Sequence, residues 1–221
     1  MLYTLESAKA NIRNREGHRV FYLGATDKLT AEARDYLHKE HIEILPPEQA
    51  RPRRWKLLSG GFLEEKPEHM THLNGDTLVP KTHPRIAFRG AVDTLEAELL
   101  LCMLDLPTQK KALEEILALA RNLIRAEVLE SPLEESTLLG LTREQLRSHS
   151  HRPQDFYGQP HFMPSAADGR ELLLLNKLRC TIRNAERKAV AALPERQDIL
   201  QALNRMSSAV YLLMIQRKAG K

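Results

Sequence analysis

Hydrophobic and polar positions fall into two regimes along the chain. From Pro84 onward, apolar residues recur at intervals of three and four, the period of helices with one buried face. A first long helix, about Pro84 to Leu104, carries Phe88, Val92, Leu95, Leu99 and Met103 on one side and Arg85, Arg89, Asp93 and Glu96 on another. Pro84 suits a first helical turn, and Pro107 follows the end. A second, about Thr108 to Leu129, has Leu113, Ile116, Leu117, Ala120, Leu123 and Ile124 apolar. Thr142 and Gln145 have capping-box spacing for a short helix reaching His149. After a Pro- and Gly-punctuated loop over Arg152 to Gly169, a third long helix is predicted over Leu172 to Val190. A fourth starts near Glu195 and displays Ile199, Leu203, Met206, Val210 and Leu213. Four long helices and one short one predict a helical bundle over 84–221.

Before Pro84 the helical period is lost. In 1–45, "HRVFYL" has strand character, "LTAEARDYLHKEH" reads as a helix capped by Thr30, and "IEIL" as a second strand, together a small mixed α/β appendage. Over 46–83, Pro46, Pro47, Pro52, Gly60, Gly61 and Pro67 interrupt every periodicity, as expected of a linker or irregular loop. Within it, "RPRRWK" gathers four cations around the only Trp.

Composition narrows the class. The 221 residues are 42% hydrophobic and 28% charged, the profile of a soluble globular protein. No uninterrupted apolar run approaches a membrane span and no signal-like segment follows Met1, so a cytoplasmic protein with no membrane partner is expected. Cys102 and Cys180 form no CxxC pair, which argues against a disulfide framework or a thiolate zinc site. A net charge of +4 permits an anionic ligand without demanding nucleic acid.

The third helix holds the candidate chemistry. At roughly 100° per residue, Asn176, Arg179, Arg183, Glu186 and Arg187 align beside the apolar face of Leu175, Leu178, Ile182, Ala185 and Ala189, while Lys177, Asn184 and Lys188 supply the polar sector opposite Arg179. A solvated ridge with i,i+4 support would explain such a row. Charges at a core boundary need partners, however, and guanidinium forks suit a polyphosphate. Two other readings are a helical protein that binds nucleic acid or another polyanion through "RPRRWK" and the Arg helix, and a non-enzymatic ferritin-like adaptor. A di-iron bundle is disfavoured because the helices carry no Glu-x-x-His pair.

The segments "RCTIRNAERKAV" and "LNRMSSAVYLL" resemble the C-terminal half of the PduO-type corrinoid adenosyltransferases, with their Arg-x-x-x-Arg-x-x-Glu-Arg and Leu-Asn-Arg-Leu-Ser helices. "VPKTHPRIAFRGAVDTLEAEL" is similar to the same family's Lys, Pro-Arg and Gly-x-Val-Asp-x-Leu segment, and "HFMPSAADGRELLLLNKLR" to its Phe-x-x-Pro approach. The N-terminal unit and "DILQALNRMSSAVYLLMI" point to the ethanolamine-utilisation, EutT-type branch. The resemblance implies a mainly α, PduO-like, ferritin-like bundle of up-and-down helices and an enzyme in which cobalt(I) of cobalamin attacks the 5′ carbon of ATP to make adenosylcobalamin. It implies that Lys81, Arg183, Glu186 and Asn204 bind ATP, that Arg179 also faces the nucleotide and acts in catalysis by stabilising the leaving polyphosphate, and that Asp93 pairs with Arg179 to order the corrinoid site. Phe162 would cover the lower face of the corrin.

The same resemblance carries further expectations. Mg²⁺ or another divalent cation would accompany ATP, and the segment 46–83 would include a nucleotide-binding loop. A homo-oligomer, trimer or dimer, is implied, with ethanolamine ammonia-lyase or a bacterial microcompartment as partner. Three departures stand out. The family's Gly-rich phosphate loop is represented only by "THLNGDTLVPK", Asn184 replaces a basic position, and the Cys-rich metal cluster of some EutT-type members has no counterpart among Trp55 to Leu78. No zinc or iron bound to the protein itself is therefore expected.

Overall fold

The computed structural model describes residues 1–15, 17–47 and 54–220. The chain divides into two compact units, Met1–Arg54 and Trp55–Lys221. Arg51, Pro52 and Arg53 of the basic run lie outside the described residues.

In the first unit, β1 (Leu2–Tyr3) pairs in parallel with β4 (Lys28–Leu29), while β3 (His18–Tyr22) lies between antiparallel β2 (Arg13–Arg15) and parallel β5 (Glu43–Leu45). Two helices, α1 (Leu5–Ala10) and α2 (Ala31–Lys39), start at Thr4 and Thr30, whose hydroxyls accept the backbone N–H groups of Ser7 and Ala33. These caps satisfy amide donors that a helix start leaves open. A small core of Ala8, Phe21, Ala33, Leu37 and Ile42 closes the unit. The mixed α/β character matches the pattern, although α1, β1, β2 and β4 are too short to show a period.

Within the stretch expected as a linker and nucleotide-binding loop, the part from Trp55 to Pro80 forms strands. Strands β6 (Trp55–Leu57), β7 (Phe62–Leu63), β8 (Met70–Asn74) and β9 (Thr77–Pro80) form one sheet in the order β7-β6-β9-β8. Its two hairpins turn through Gly60, Gly61 and Gly75, all at positive φ. Glycines that interrupt a pattern can thus be the turns that make hairpins possible. Trp55, only 8% exposed, packs with Met70 and Leu78 and lies with its ring centroid 4.7 Å from that of His72. An indole used in this way is not free to stack on a base, which weighs against the nucleic-acid reading.

Helices α3 (Pro84–Asp105), α4 (Lys110–Val128), α5 (Arg143–His151), α6 (Pro153–Tyr157), α7 (Gly169–Ala192) and α8 (Gln197–Lys218) complete the second unit. Helix α7 packs on both α3 and α8, α4 packs on α3, and α5 on α8. Pro84 occupies the first turn of α3 behind His83, and Thr142 with Gln145 closes the expected capping box. Only α6, one turn inside the expected loop, was hidden by its length. The core runs through Phe88, Val92, Leu95, Leu99, Leu113, Ile116, Leu175, Leu178, Ile182, Leu203, Met206 and Val210. Burying each such side chain stabilises the fold by about 1.5–3 kcal/mol before entropy is counted. Among the described residues no helix is long and apolar enough to cross a membrane.

One charged knot ties α3 to α4. Glu127 has 0% exposure and holds Arg85 and Arg89, the latter with Nε 2.7 Å from Oε2. Arg85 also donates to the Glu127 carbonyl at 2.9 Å and pairs with Glu130, which accepts from Asn74 at the β8–β9 turn. Removing the carboxylate would leave two guanidiniums facing a buried gap. Glu127→Gln is therefore expected to cost about 3 kcal/mol in urea unfolding, whereas a loss below about 1 kcal/mol would mean that both arginines relax into water.

Candidate active site

The polar row of α7 splits when the chain folds. Arg179 and Glu186 are half-buried, while Arg183 and Arg187 are exposed. Helices α7 and α8 run antiparallel across the short turn between Ala192 and Gln197, which sets Arg179 opposite Tyr211 and Glu186 opposite Asn204. Both pairs of positions are seven residues apart, so each lies on one face of its helix. Asn204 Nδ2 donates to Glu186 Oε1 at 3.0 Å. The Arg179 guanidinium sits 5.4 Å from the centre of the Tyr211 ring, within cation–π range.

Tyr211 also gathers the loop before α7. His161 Nε2 faces the His151 carbonyl at 3.2 Å, so its Nδ1, 2.8 Å from the phenol, accepts the Tyr211 O–H. The Tyr211 oxygen in turn takes a hydrogen bond from the Phe162 backbone. Burial raises the phenol above its ordinary pKa, opposed by that bond and by the Arg179 charge, so the ring stays neutral and O–H remains a donor. Phe162 stacks against Tyr211 with centroids 6.5 Å apart and interplanar angle 23°, and Lys218 Nζ lies over the Phe162 ring, 5.5 Å from its centre. Lys218 is held by Asp168, whose carboxyl drops below the usual range because of that contact and the Ser165 N–H.

At the other end of the row, Glu186 and Asn204 line a cavity of about 410 Å³ with Arg143, Glu144 and Arg147 of α5 and Leu200, Gln201 and Arg205 of α8. The cavity faces the polar edge of the α7–α8 pair, so a ligand there would touch both helices.

The structure brings some of the expected residues together and keeps others apart. Arg179 and Phe162 meet through Tyr211, and Glu186 meets Asn204 directly. The expected Asp93–Arg179 pair is absent within the chain. Lys177 and Thr181 occupy the side of α7 facing α3, where both reach Glu98. Arg179, two residues on from Lys177, points roughly 200° away, toward α8. Asp93 stands on the exposed face of α3 and, among the described residues, has no ion-pair partner. Lys81 is exposed where β9 ends, its backbone N–H bonded to the His69 carbonyl at 2.8 Å. Its side chain, like that of Arg183, contacts none of the other expected residues. Lys177 keeps the solvated position that the helical period suggested, its side chain 71% exposed, while its ammonium reaches Glu98 of α3 at 3.4 Å.

Two participants escaped the sequence pattern, Tyr211 and Arg205. The seven-residue step from Asn204 to Tyr211, matching that from Arg179 to Glu186, was the available signal. Among the described residues no three His, Cys, Asp or Glu side chains cluster as a metal site. Tyr211→Phe keeps the ring under Arg179 but removes the hydroxyl that ties His161 and Phe162. Hydrogen exchange at the Phe162 amide should accelerate about tenfold with a global stability loss near 1 kcal/mol; an unchanged exchange rate would mean that the loop is held by ring packing alone.

Comparison with known proteins identifies relatives of the whole chain. Residues 62–217 match the family described as cobalamin adenosyltransferase. The corrinoid adenosyltransferase EutT of Escherichia coli is 31% identical over an alignment of 237 positions, covering 94% of this chain and 88% of that protein. The corrinoid adenosyltransferase EutT of Salmonella typhimurium is 36% identical over 158 positions, covering 68% of this chain and 59% of that protein.

Proposed function

Because the chain belongs to the cobalamin adenosyltransferase family, we propose that the α7–α8 groove is where it binds ATP and presents the 5′ carbon to a reduced corrinoid. The chain is a transferase that adds the adenosyl group to cobalt, making adenosylcobalamin. One observation carries the assignment of the groove: the Glu186–Asn204 hydrogen bond unites the two family motifs, on separate helices, at one cavity. In this reading Glu186 and Asn204 grip the nucleotide with Arg183 and Lys81. Arg179 stabilises negative charge as the carbon–oxygen bond breaks and the polyphosphate leaves. Phe162, braced by Tyr211, excludes water and base from the lower face of the corrin, which eases reduction and shields cobalt(I).

A divalent cation such as Mg²⁺ accompanies the phosphates of ATP, with the phosphate oxygens supplying much of its coordination. The enzyme works in the cytoplasm as a homo-oligomer and serves ethanolamine ammonia-lyase in ethanolamine utilisation, in or near a microcompartment. Support for a homo-oligomer comes from α3, whose exposed face carries Leu101 at 64% and Leu104 at 80% exposure in line with unpaired Asp93. A second copy covering this stripe would bury the leucines and let Asp93 meet a neighbour's Arg179, completing the corrinoid site.

The test is anaerobic. Protein, ATP and chemically reduced cobalamin should yield a light-sensitive alkylcobalamin spectrum, and no such product under conditions where the Salmonella relative works would overturn the reading. Arg179→Lys keeps a charge but loses the planar fork. Its turnover is expected to fall about 100-fold, roughly 2.7 kcal/mol of barrier, with only a modest loss of ATP affinity. The exposed control Lys188→Ala should match wild type; equal rates in the two variants would reduce the Arg row to a surface ridge.

A further inference from the structure

The 410 Å³ cavity beside Glu186 and Asn204 holds more positive charge than its own carboxylates engage. Glu144 accepts from Arg143 Nε at 3.1 Å and from the Thr142 hydroxyl at 3.2 Å. Glu186 accepts from Asn204, whose Oδ1 is contacted by Arg205 Nη2. Arg143 reaches Gln201 and, at 3.5 Å, Glu135. After these contacts, Arg205 Nη1 remains buried with no hydrogen-bond partner, and the exposed Arg147 guanidinium has none among the described residues. A buried guanidinium nitrogen without an acceptor is costly, and like charges close by raise the cost. Burial and the nearby charges of Arg147 and Arg143 all lower the Arg205 pKa, in that order. An arginine nevertheless stays charged, so the arrangement lacks an anion.

We propose that Arg147 and Arg143 of α5, with Arg205 of α8, form a phosphate-binding subsite that takes the phosphate chain of ATP beside the Glu186–Asn204 pair. The inference rests on the reading of the groove as the nucleotide site and adds to it Arg143 and Arg147, which lie outside the family motifs, and gives a role to Arg205, the arginine of the Leu-Asn-Arg-Leu-Ser motif. Two helices contribute, so the phosphate chain would clamp α5 to α8. Planar forks from different directions match the several oxygens of a polyphosphate better than a single carboxylate. The need is sharpened by the β8–β9 hairpin. The segment resembling a Gly-rich phosphate loop forms a tight turn with one glycine, Gly75, and its Asn74 side chain is committed to Glu130. Phosphate charge that this short turn does not meet can be met by the α5 arginines, which line the cavity next to the motif residues.

Calorimetric titration of the full chain with tripolyphosphate, ATP and adenosine tests this. Arg147 is exposed, so Arg147→Gln leaves folding intact, which thermal melting verifies. The variant should bind tripolyphosphate and ATP about tenfold more weakly, adenosine as wild type does, and Arg147→Lys should recover part of the loss. Wild-type protein that does not bind tripolyphosphate, or an Arg147→Gln variant that binds it within twofold of wild type, would overturn the subsite. So would a variant that loses adenosine affinity in equal measure. Adenosyl transfer by the wild-type chain is followed in parallel. Transfer without an Arg147 effect sinks the subsite alone, and an Arg147 effect without transfer leaves the subsite standing while the functional reading falls.

Discussion

Helix α7 has to bury its apolar face against two neighbours at once, α3 and α8, and this constraint organises the larger unit. Leu172, Leu175, Leu178, Ile182, Ala185 and Ala189 are all buried in the process. A helix held on two sides has one narrow sector left for polar groups, and polar residues near the seams must find partners across them. On the α3 side, Lys177 and Thr181 converge on Glu98. On the α8 side, Arg179 finds the Tyr211 ring and Glu186 finds Asn204. The candidate site is thus the polar margin of a packing interface, and its geometry inherits the rigidity of that interface.

That inheritance suits a displacement at carbon. Groups that stabilise a leaving polyphosphate are useful when they already point where charge will develop, because reorganisation at the moment of reaction costs barrier height. Arg179 is fixed from below by an aromatic ring and Asn204 by a carboxylate. Phe162, on an irregular segment, is braced through its own backbone by the Tyr211 hydroxyl. One α8 side chain therefore couples the proposed corrin cover to the proposed phosphate ligand. The coupling also explains a tyrosine here, since phenylalanine would supply the ring but not the tie.

Charge is distributed unevenly through the fold. Structural arginines are neutralised: Arg85 and Arg89 share Glu127, and Arg196 holds Asp198, whose carboxyl is driven far below its usual range. The cations around the α5–α8 cavity are only partly matched, and Asp93 on α3 is unmatched. These are the charges that the proposed phosphate subsite and the proposed second copy would engage.

The long helices and the alignment of Arg179, Arg183 and Glu186 were determined by the sequence itself, because a 3.6-residue period over twenty positions leaves a pattern that local chemistry alone can produce. The caps at Thr30 and Thr142 were legible for the same reason, being side-chain contacts made within three residues. The order of "RGAVD", "HFMP", "RCTIRNAER" and "LNRMSS" also carried the family resemblance. Strands of two to five residues between Trp55 and Pro80 left no period to read, and their sheet includes the non-local pairing of β6 with β9. Which sector of α7 faces α3 or α8 was likewise decided only by packing. Rotation about the helix axis leaves every i,i+4 relation unchanged, so the sequence could align Arg179 with Arg183 but could not choose between Asp93 and Tyr211 as its neighbour. That choice came from burying two apolar seams together, which turned Lys177 toward Glu98 and left Arg179 over the ring.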